Sequence, residues 1–174
     1  VFDVCAGAGG KTLHIASLMQ NKGQIIALDL YEWKLKELKR RAKRAGAHNI
    51  ETRPIIAKTI KRLKDSADAL LIDAPCSGLG VLKRNPDAKW KLDAAFIERI
   101  TKEQEEILQN HSKVLRKGGK MVYATCSILP EENEQQVEKF LANNPEFSLV
   151  KQETLLPNKT GNDGFFIAVL ERKV

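Results

Sequence analysis

Alternation is the feature that most constrains this chain. Short apolar runs that read as strands are separated, again and again, by stretches with helical spacing. Strands are expected over Val1–Cys5, Gln24–Leu30, Asn49–Ile56, Asp68–Asp73 and Lys120–Thr125. Between them lie helical stretches. Lys11–Asn21 carries Leu13, Ile15, Ala16 and Leu18 at helical intervals, and Glu32–Ala45 is closed by Gly46. A weaker helix covers Lys58–Lys64. A long one covers Leu92–Leu115, with Lys117-Gly118-Gly119 as its stop, and another covers Glu131–Ala142 just after Pro130. Phe147–Gln152 and Phe165–Glu171 read as a final, hairpin-like pair of strands. Strands that alternate with helices form a parallel sheet covered on both faces, with right-handed crossovers. The expected fold is α/β: a mostly parallel seven-stranded sheet, helices on both faces and an antiparallel edge strand. Neither a repeat nor a linker interrupts the 174 residues, so residues 1–174 are expected to be one domain. A chain that opens directly on a strand-like run reads as part of a longer protein, with any upstream region lying outside it.

In such sheets ligands bind beyond the carboxyl ends of the strands. Three features sit there. The first is the turn Cys5-Ala6-Gly7-Ala8-Gly9-Gly10-Lys11-Thr12, between the first strand and the first helix. Its glycines allow a tight turn and close approach to a ligand, and the helix end offers free N–H groups. Lys11-Thr12 superficially resembles a phosphate-binding loop. That motif needs a glycine where Ala6 stands, which argues against a nucleoside triphosphate. The second feature is Asp29, at the end of the second strand and 19 residues after Gly10. An acid there can accept both ribose hydroxyls of a nucleoside cofactor. A dinucleotide fits this pair as well as S-adenosylmethionine does. The third feature is a pair of thiols. Cys76 follows Ala69-Leu70-Leu71-Ile72-Asp73-Ala74-Pro75, and Cys126 follows Lys120-Met121-Val122-Tyr123-Ala124-Thr125. Both fall at strand ends and can face one bound substrate, as a nucleophile and a helper. The longest irregular stretch, Ser77–Lys91, follows the first of them, and loops of that length are often functional.

The motifs around these thiols are specific. Asp73-Ala74-Pro75-Cys76-Ser77-Gly78-Leu79-Gly80 is followed by Arg84-Asn85-Pro86-Asp87 and Trp90. Tyr123-Ala124-Thr125-Cys126-Ser127-Ile128 is followed by Pro130-Glu131-Glu132-Asn133-Glu134, and Asp163-Gly164-Phe165-Phe166-Ile167-Ala168 comes near the end. Across nearly the whole chain this resembles the RNA 5-methylcytosine methyltransferases of the Sun/Fmu (RsmB-like) group. The resemblance implies a Rossmann-like S-adenosylmethionine-dependent methyltransferase fold and methylation of C5 of cytosine in RNA. Ribosomal RNA is the first substrate it suggests and transfer RNA the second. It implies Cys126 as the nucleophile that adds to C6. Cys76 would help to remove the C5 proton and release the product. Asp73 would hold the cofactor's amino group or cytosine N3, and Lys11 would stand near the substrate, its charge favouring the thiolate. The cofactor site would comprise Cys5, Ala6, Gly7, Ala8, Gly9, Gly10, Lys11, Asp29 and Asp73, with Cys5 a packing or loop residue. The chain departs from the family pattern twice. Gly7-Ala8 replaces Ala-Pro in the first motif, and Ile55-Ile56-Ala57-Lys58-Thr59 carries no acid for the adenine.

Net charge is +7, which favours an anionic partner, with nucleic acid foremost. Lys83, Arg84, Lys89 and Lys91 crowd the loop after Cys76 and are the expected RNA contacts, whereas Trp90 is expected to anchor that loop. Lys34, Lys36, Lys39, Arg40, Arg41, Lys43 and Arg44 load one helix whose apolar residues Leu35, Leu38 and Ala42 face inward, so a solvated face is expected of them ahead of RNA phosphate contact. Three cysteines without paired spacing point to reduced thiols in the cytoplasm and to no metal. No apolar run reaches the ~20 residues of a membrane span. A nucleotide-binding oxidoreductase and a non-catalytic RNA-binding factor are the rival readings.

Overall fold

The computed structural model describes residues 1–90 and 92–174; the expected RNA contact Lys91 lies outside them. Seven strands form one sheet in the order β3-β2-β1-β4-β5-β7-β6. They are β1 Phe2–Val4, β2 Ile25–Asp29, β3 Ile50–Pro54, β4 Ala67–Asp73, β5 Leu115–Thr125, β6 Phe147–Leu155 and β7 Phe165–Arg172. The first five pair in parallel, and the antiparallel pairings are confined to the β5–β7–β6 end. Every residue of β1 and β2 is buried, as central strands covered on both faces must be.

The helices are α1 Gly10–Leu18, α2 Glu32–Arg44, α3 Ala57–Arg62, α4 Ala94–His111, α5 Glu134–Asn143 and the single turn α6 Pro157–Thr160. Leu35, Leu38 and Ala42 of α2 pack with Ala6 and Ala27 on one face of the sheet. The larger core on the other face joins Ile107 and Leu108 of α4 and Val137 and Phe140 of α5 to strands β1, β2, β4, β5 and β7. Register then builds the site. Val4 pairs with Leu28 on one side and with Ile72 on the other, and Asp73 pairs with Ala124. The carboxyl ends of β1, β2, β4 and β5 therefore open on one edge, where Cys5, Asp29, Asp73 and both sulfur-bearing turns emerge.

Two expected boundaries move. The long helix ends at His111, a 3-10 turn follows over Ser112–Val114, and β5 starts at Leu115. Lys117-Gly118-Gly119 is no helix stop. Leu115 pairs with Ala67 and Lys120 with Ala69, so Arg116–Gly119 bulges out opposite Asp68. The helix expected over Glu131–Ala142 splits into a 3-10 turn, Pro130–Glu132, and α5. Asn133 separates them at φ −116° and ψ −101° because its side chain, like that of Glu132, turns inward to bond the β5 end.

Candidate active site

The glycine turn forms a cradle over β1 and β2. Cys5 adopts a left-handed φ of 62°, which swings the chain back across β2, where the Ala6 N–H reaches the Leu28 carbonyl at 3.0 Å. Gly9, at φ +86°, has to be glycine, because a Cβ there would stand 2.5 Å from Leu38 Cγ of α2. α1 therefore packs its amino end directly on α2. No side chain caps α1, so the turn presents backbone N–H groups to the open edge. Thr12 Oγ1 donates to the buried Asp3 at 2.5 Å, which ties α1 to β1. Arg41 leaves the basic face of α2 and donates to the Ala8 carbonyl at 2.8 Å, so this cation braces the turn instead of facing solvent.

Asp29 is buried at the floor of a cavity of about 460 Å³, within the ~300–1,000 Å³ common to small-molecule sites. Its two oxygens accept the N–H groups of Gly7 at 2.8 Å and Tyr31 at 2.9 Å. A carboxylate offers about four acceptor positions, so two remain for a diol. Cys5 and Asp73 line one end of the cavity, and Leu30 and Ile55 also line it. Ile55 belongs to the segment that carries no acid for the adenine. Glu103, Glu106 and Asn110 of α4 line the same cavity, so polar groups come from a helix that strand-end reasoning does not consult. The arrangement fits a nucleoside cofactor: a diol acceptor and apolar walls in one cavity, which the glycine turn meets at Cys5, whereas Ala6, Gly7, Ala8, Gly9, Gly10 and Lys11 are not among its lining residues.

Beside the cavity the two catalytic candidates meet. Cys76 Sγ and Cys126 Sγ lie 3.3 Å apart, both partly exposed. Lys11 Nζ is 2.7 Å from Asp73 Oδ2 and 5.4 Å from the centre of the Phe165 ring. The contact with Cys76 lowers the Cys126 thiol to about 7, against burial and the nearby Asp73 charge; Lys11 lowers it further by a smaller amount. The same contact, with burial, pushes Cys76 far up. Cys5 is pushed up to about 12 by burial and by the charges of Asp29 and Asp73. Of the three thiols, Cys126 is the one shifted toward the thiolate.

The loop after Cys76 is pinned by close backbone approach. The Gly80 N–H donates to the Cys126 carbonyl at 2.9 Å, and the Gly164 N–H donates to the Gly80 carbonyl at 2.7 Å. A Cβ on Gly80 would come within 2.2 Å of the Gly164 oxygen. Arg84 forms an ion pair with Asp163, which joins the loop to the Asp163-Gly164-Phe165-Phe166 segment. Lys83 and Lys89 are exposed. Trp90 does not anchor the loop: it is 79% exposed on a 3-10 turn, with Lys89 Nζ 4.7 Å from its ring centre. The Gly80 contacts hold the loop in its place. Among the described residues no cluster of three or more His, Cys, Asp or Glu could hold a metal, and no helix is long and apolar enough to cross a membrane.

Comparison with known proteins agrees with this geometry. The model of the 16S rRNA methyltransferase RsmB/F family matches residues 1–171. The chain is 37% identical to a probable ribosomal RNA small subunit methyltransferase B of Synechocystis, over 99% of this chain and 43% of that protein. It is 38% identical to ribosomal RNA small subunit methyltransferase B of Pasteurella multocida, over 100% of this chain and 42% of that protein. Among solved structures, NSun6 from Pyrococcus horikoshii with SFG, an S-adenosylmethionine analogue, superimposes with a TM-score of 0.88 at 34% identity. That match covers 98% of this chain and 47% of the other. The chain thus spans less than half the length of these relatives. The fold is that of the S-adenosylmethionine-dependent methyltransferases, and the chain belongs to the 16S rRNA methyltransferase RsmB/F family.

Proposed function

We propose that this chain is the catalytic part of an S-adenosylmethionine-dependent methyltransferase that methylates C5 of cytosine in small-subunit ribosomal RNA. The observation that carries the reading is the pair of thiols 3.3 Å apart beside a cavity of nucleoside-cofactor size. Cytosine C5 is a weak nucleophile. Addition of the Cys126 thiolate to C6 places electron density on C5. The bound cofactor supplies an electrophilic methyl group. Methyl transfer leaves S-adenosylhomocysteine; Cys76 gives up its own proton to solvent, its thiolate takes the C5 proton, directly or through water, and elimination then returns the Cys126 thiolate. Asp73, held by Lys11, supplies a carboxylate for the cofactor's amino group or, when it carries a proton, a donor for cytosine N3. Asp29 holds the ribose, and the Cys5–Lys11 turn holds the remainder of the cofactor.

The target base has to leave its stack to reach the thiols. Lys83 and Lys89 offer phosphate contacts, and the exposed Trp90 ring offers a face for an unpaired base. Arg84, already paired with Asp163, is the weaker RNA contact of the loop. Two adjacent thiols that have to stay reduced suit the cytoplasm.

The test is transfer of a labelled methyl group from S-adenosylmethionine to small-subunit RNA from cells lacking the enzyme, using the full-length protein. Label in 5-methylcytosine is the expected product. Label in another base, or in transfer RNA alone, would overturn the reading. The ribose role has its own test. Asp29→Ala should weaken S-adenosylhomocysteine binding by roughly ten- to a hundredfold, the cost of losing hydrogen bonds to a charged acceptor. Calorimetry measures this, and an unchanged affinity would remove Asp29 from that role.

A further inference from the structure

We infer that Glu132 is the positioning residue that sets the two thiols against each other, by holding both Cys-Ser turns on one buried carboxylate. The inference rests on the reading of Cys126 and Cys76 as the catalytic pair. The sheet itself does not place them. Ladder bonding between β4 and β5 runs out at the Ala74 N–H, which reaches the Ala124 carbonyl at 2.9 Å. Cys76 and Cys126 both lie beyond that point.

A serine stands directly after each cysteine, and both serines converge on Glu132. This carboxylate is fully buried. Its Oε1 accepts the Ser77 N–H at 2.7 Å and Gln104 Nε2 at 3.1 Å. Its Oε2 accepts Ser77 Oγ at 2.5 Å and also Ser127 Oγ. Four donors fill the acceptor capacity of one carboxylate, which is what keeps a buried charge tolerable. Gln104 also donates to the Pro75 carbonyl at 2.8 Å, just before Cys76. The two hydroxyls lie 3.2 Å from each other, each on the residue that follows its cysteine.

The flanking residues hold Glu132 in turn. Tyr123 OH donates to its carbonyl at 2.8 Å. Asn133 accepts from Thr125 Oγ1 at 2.5 Å and donates to the Ser127 carbonyl at 3.1 Å, so it grips the peptide on both sides of Cys126. Pro130–Asn133 therefore closes over the β5 end as a strap, with Glu132 reaching through to the β4 turn. An ångström-scale change in the sulfur separation would alter both the thiolate at Cys126 and the reach of Cys76 to the C5 proton.

Glu132→Gln tests this with little change in shape. A carboxamide has one acceptor oxygen, and its NH2 would face donors. The expected result is a folded protein whose kcat falls by about a hundredfold, the scale of a small misplacement at a reacting centre. Its affinity for S-adenosylhomocysteine should stay within about twofold, because Glu132 is not among the residues lining the cofactor cavity. The pH midpoint of Cys126 alkylation by iodoacetamide should move up, since Cys76 is no longer held on that sulfur. The serines split the effect. Ser127→Ala should slow covalent capture of RNA, and Ser77→Ala should slow release so that adduct accumulates. A folded Glu132→Gln with the original alkylation midpoint and turnover would overturn the inference. If that variant does not fold, the two serine variants decide, and unchanged capture and release in both would overturn it. Failure of the wild type to methylate cytosine would sink the proposed function instead, and the alkylation shift would still report on the positioning.

Discussion

Cys126→Ala should lose methyl transfer altogether while still binding the cofactor. The loss follows from the chemistry assigned to this thiol: without addition at C6, cytosine C5 has too little electron density to take a methyl group. Removing a covalent nucleophile costs on the order of 10⁶-fold in turnover in a well-studied hydrolase, and an effect of that scale lies below detection here. Binding should survive, because Cys126 is not among the residues lining the cavity around Asp29. The pH profile sharpens the test. Cys126 is lowered to about 7 by its contact with Cys76, and the thiolate is the reacting form. Single-turnover capture by the wild type should therefore be weak at acid pH, rise through about pH 7 and level off above it. Cys126→Ser, whose hydroxyl does not ionise in this range, should be silent at every pH. Rapid-quench methyl transfer measures all three proteins. Activity in Cys126→Ala within a few fold of wild type would move the nucleophile elsewhere.

Much of this site is legible in the sequence because it depends on strand ends, and strand ends follow from short patterns. Asp29 and the two cysteines each close an apolar run, and in a parallel sheet that alone brings them to one edge. The RNA 5-methylcytosine methyltransferase resemblance carried by the cysteine motifs agrees with the family match. Other parts stay out of reach because they depend on packing between distant segments. Nothing in the composition of α2 separates Arg41 from its six cationic neighbours, yet it alone among them turns back to the Ala8 carbonyl. Glu103 and Glu106 have the pattern of an ordinary charged helix surface, and only the placement of α4 brings them to the cavity around Asp29. Trp90 misleads for a similar reason: a large aromatic in a long loop is a reasonable anchor, but backbone contact at Gly80 already fixes the loop. Glu132 and Asn133 read as the opening of a helix. Their hydrogen bonds to the β5 end outweigh helix continuation and break the chain at Asn133.

Cys76→Ala should convert a turning-over enzyme into one that stops as a covalent complex with RNA. The Cys76 sulfur, 3.3 Å from that of Cys126, is the acceptor proposed for the C5 proton. Without it, addition at C6 and methyl transfer can proceed, but elimination stalls, since the Cys126–C6 bond breaks only as that proton leaves. The complex should survive denaturing electrophoresis and carry one labelled methyl group per protein. Its formation should also shift in pH. Cys126 owes its lowered value first to the Cys76 contact, so losing that contact raises it, and capture should require more alkaline conditions than in the wild type. Cys76→Ala combined with Cys126→Ala should give no complex at any pH, which separates true capture from nonspecific cross-linking. Sustained turnover by Cys76→Ala with no accumulated complex would mean that another group removes the proton. Cys76 would then act only on its neighbour's ionisation, and the alkaline shift would be the sole effect left.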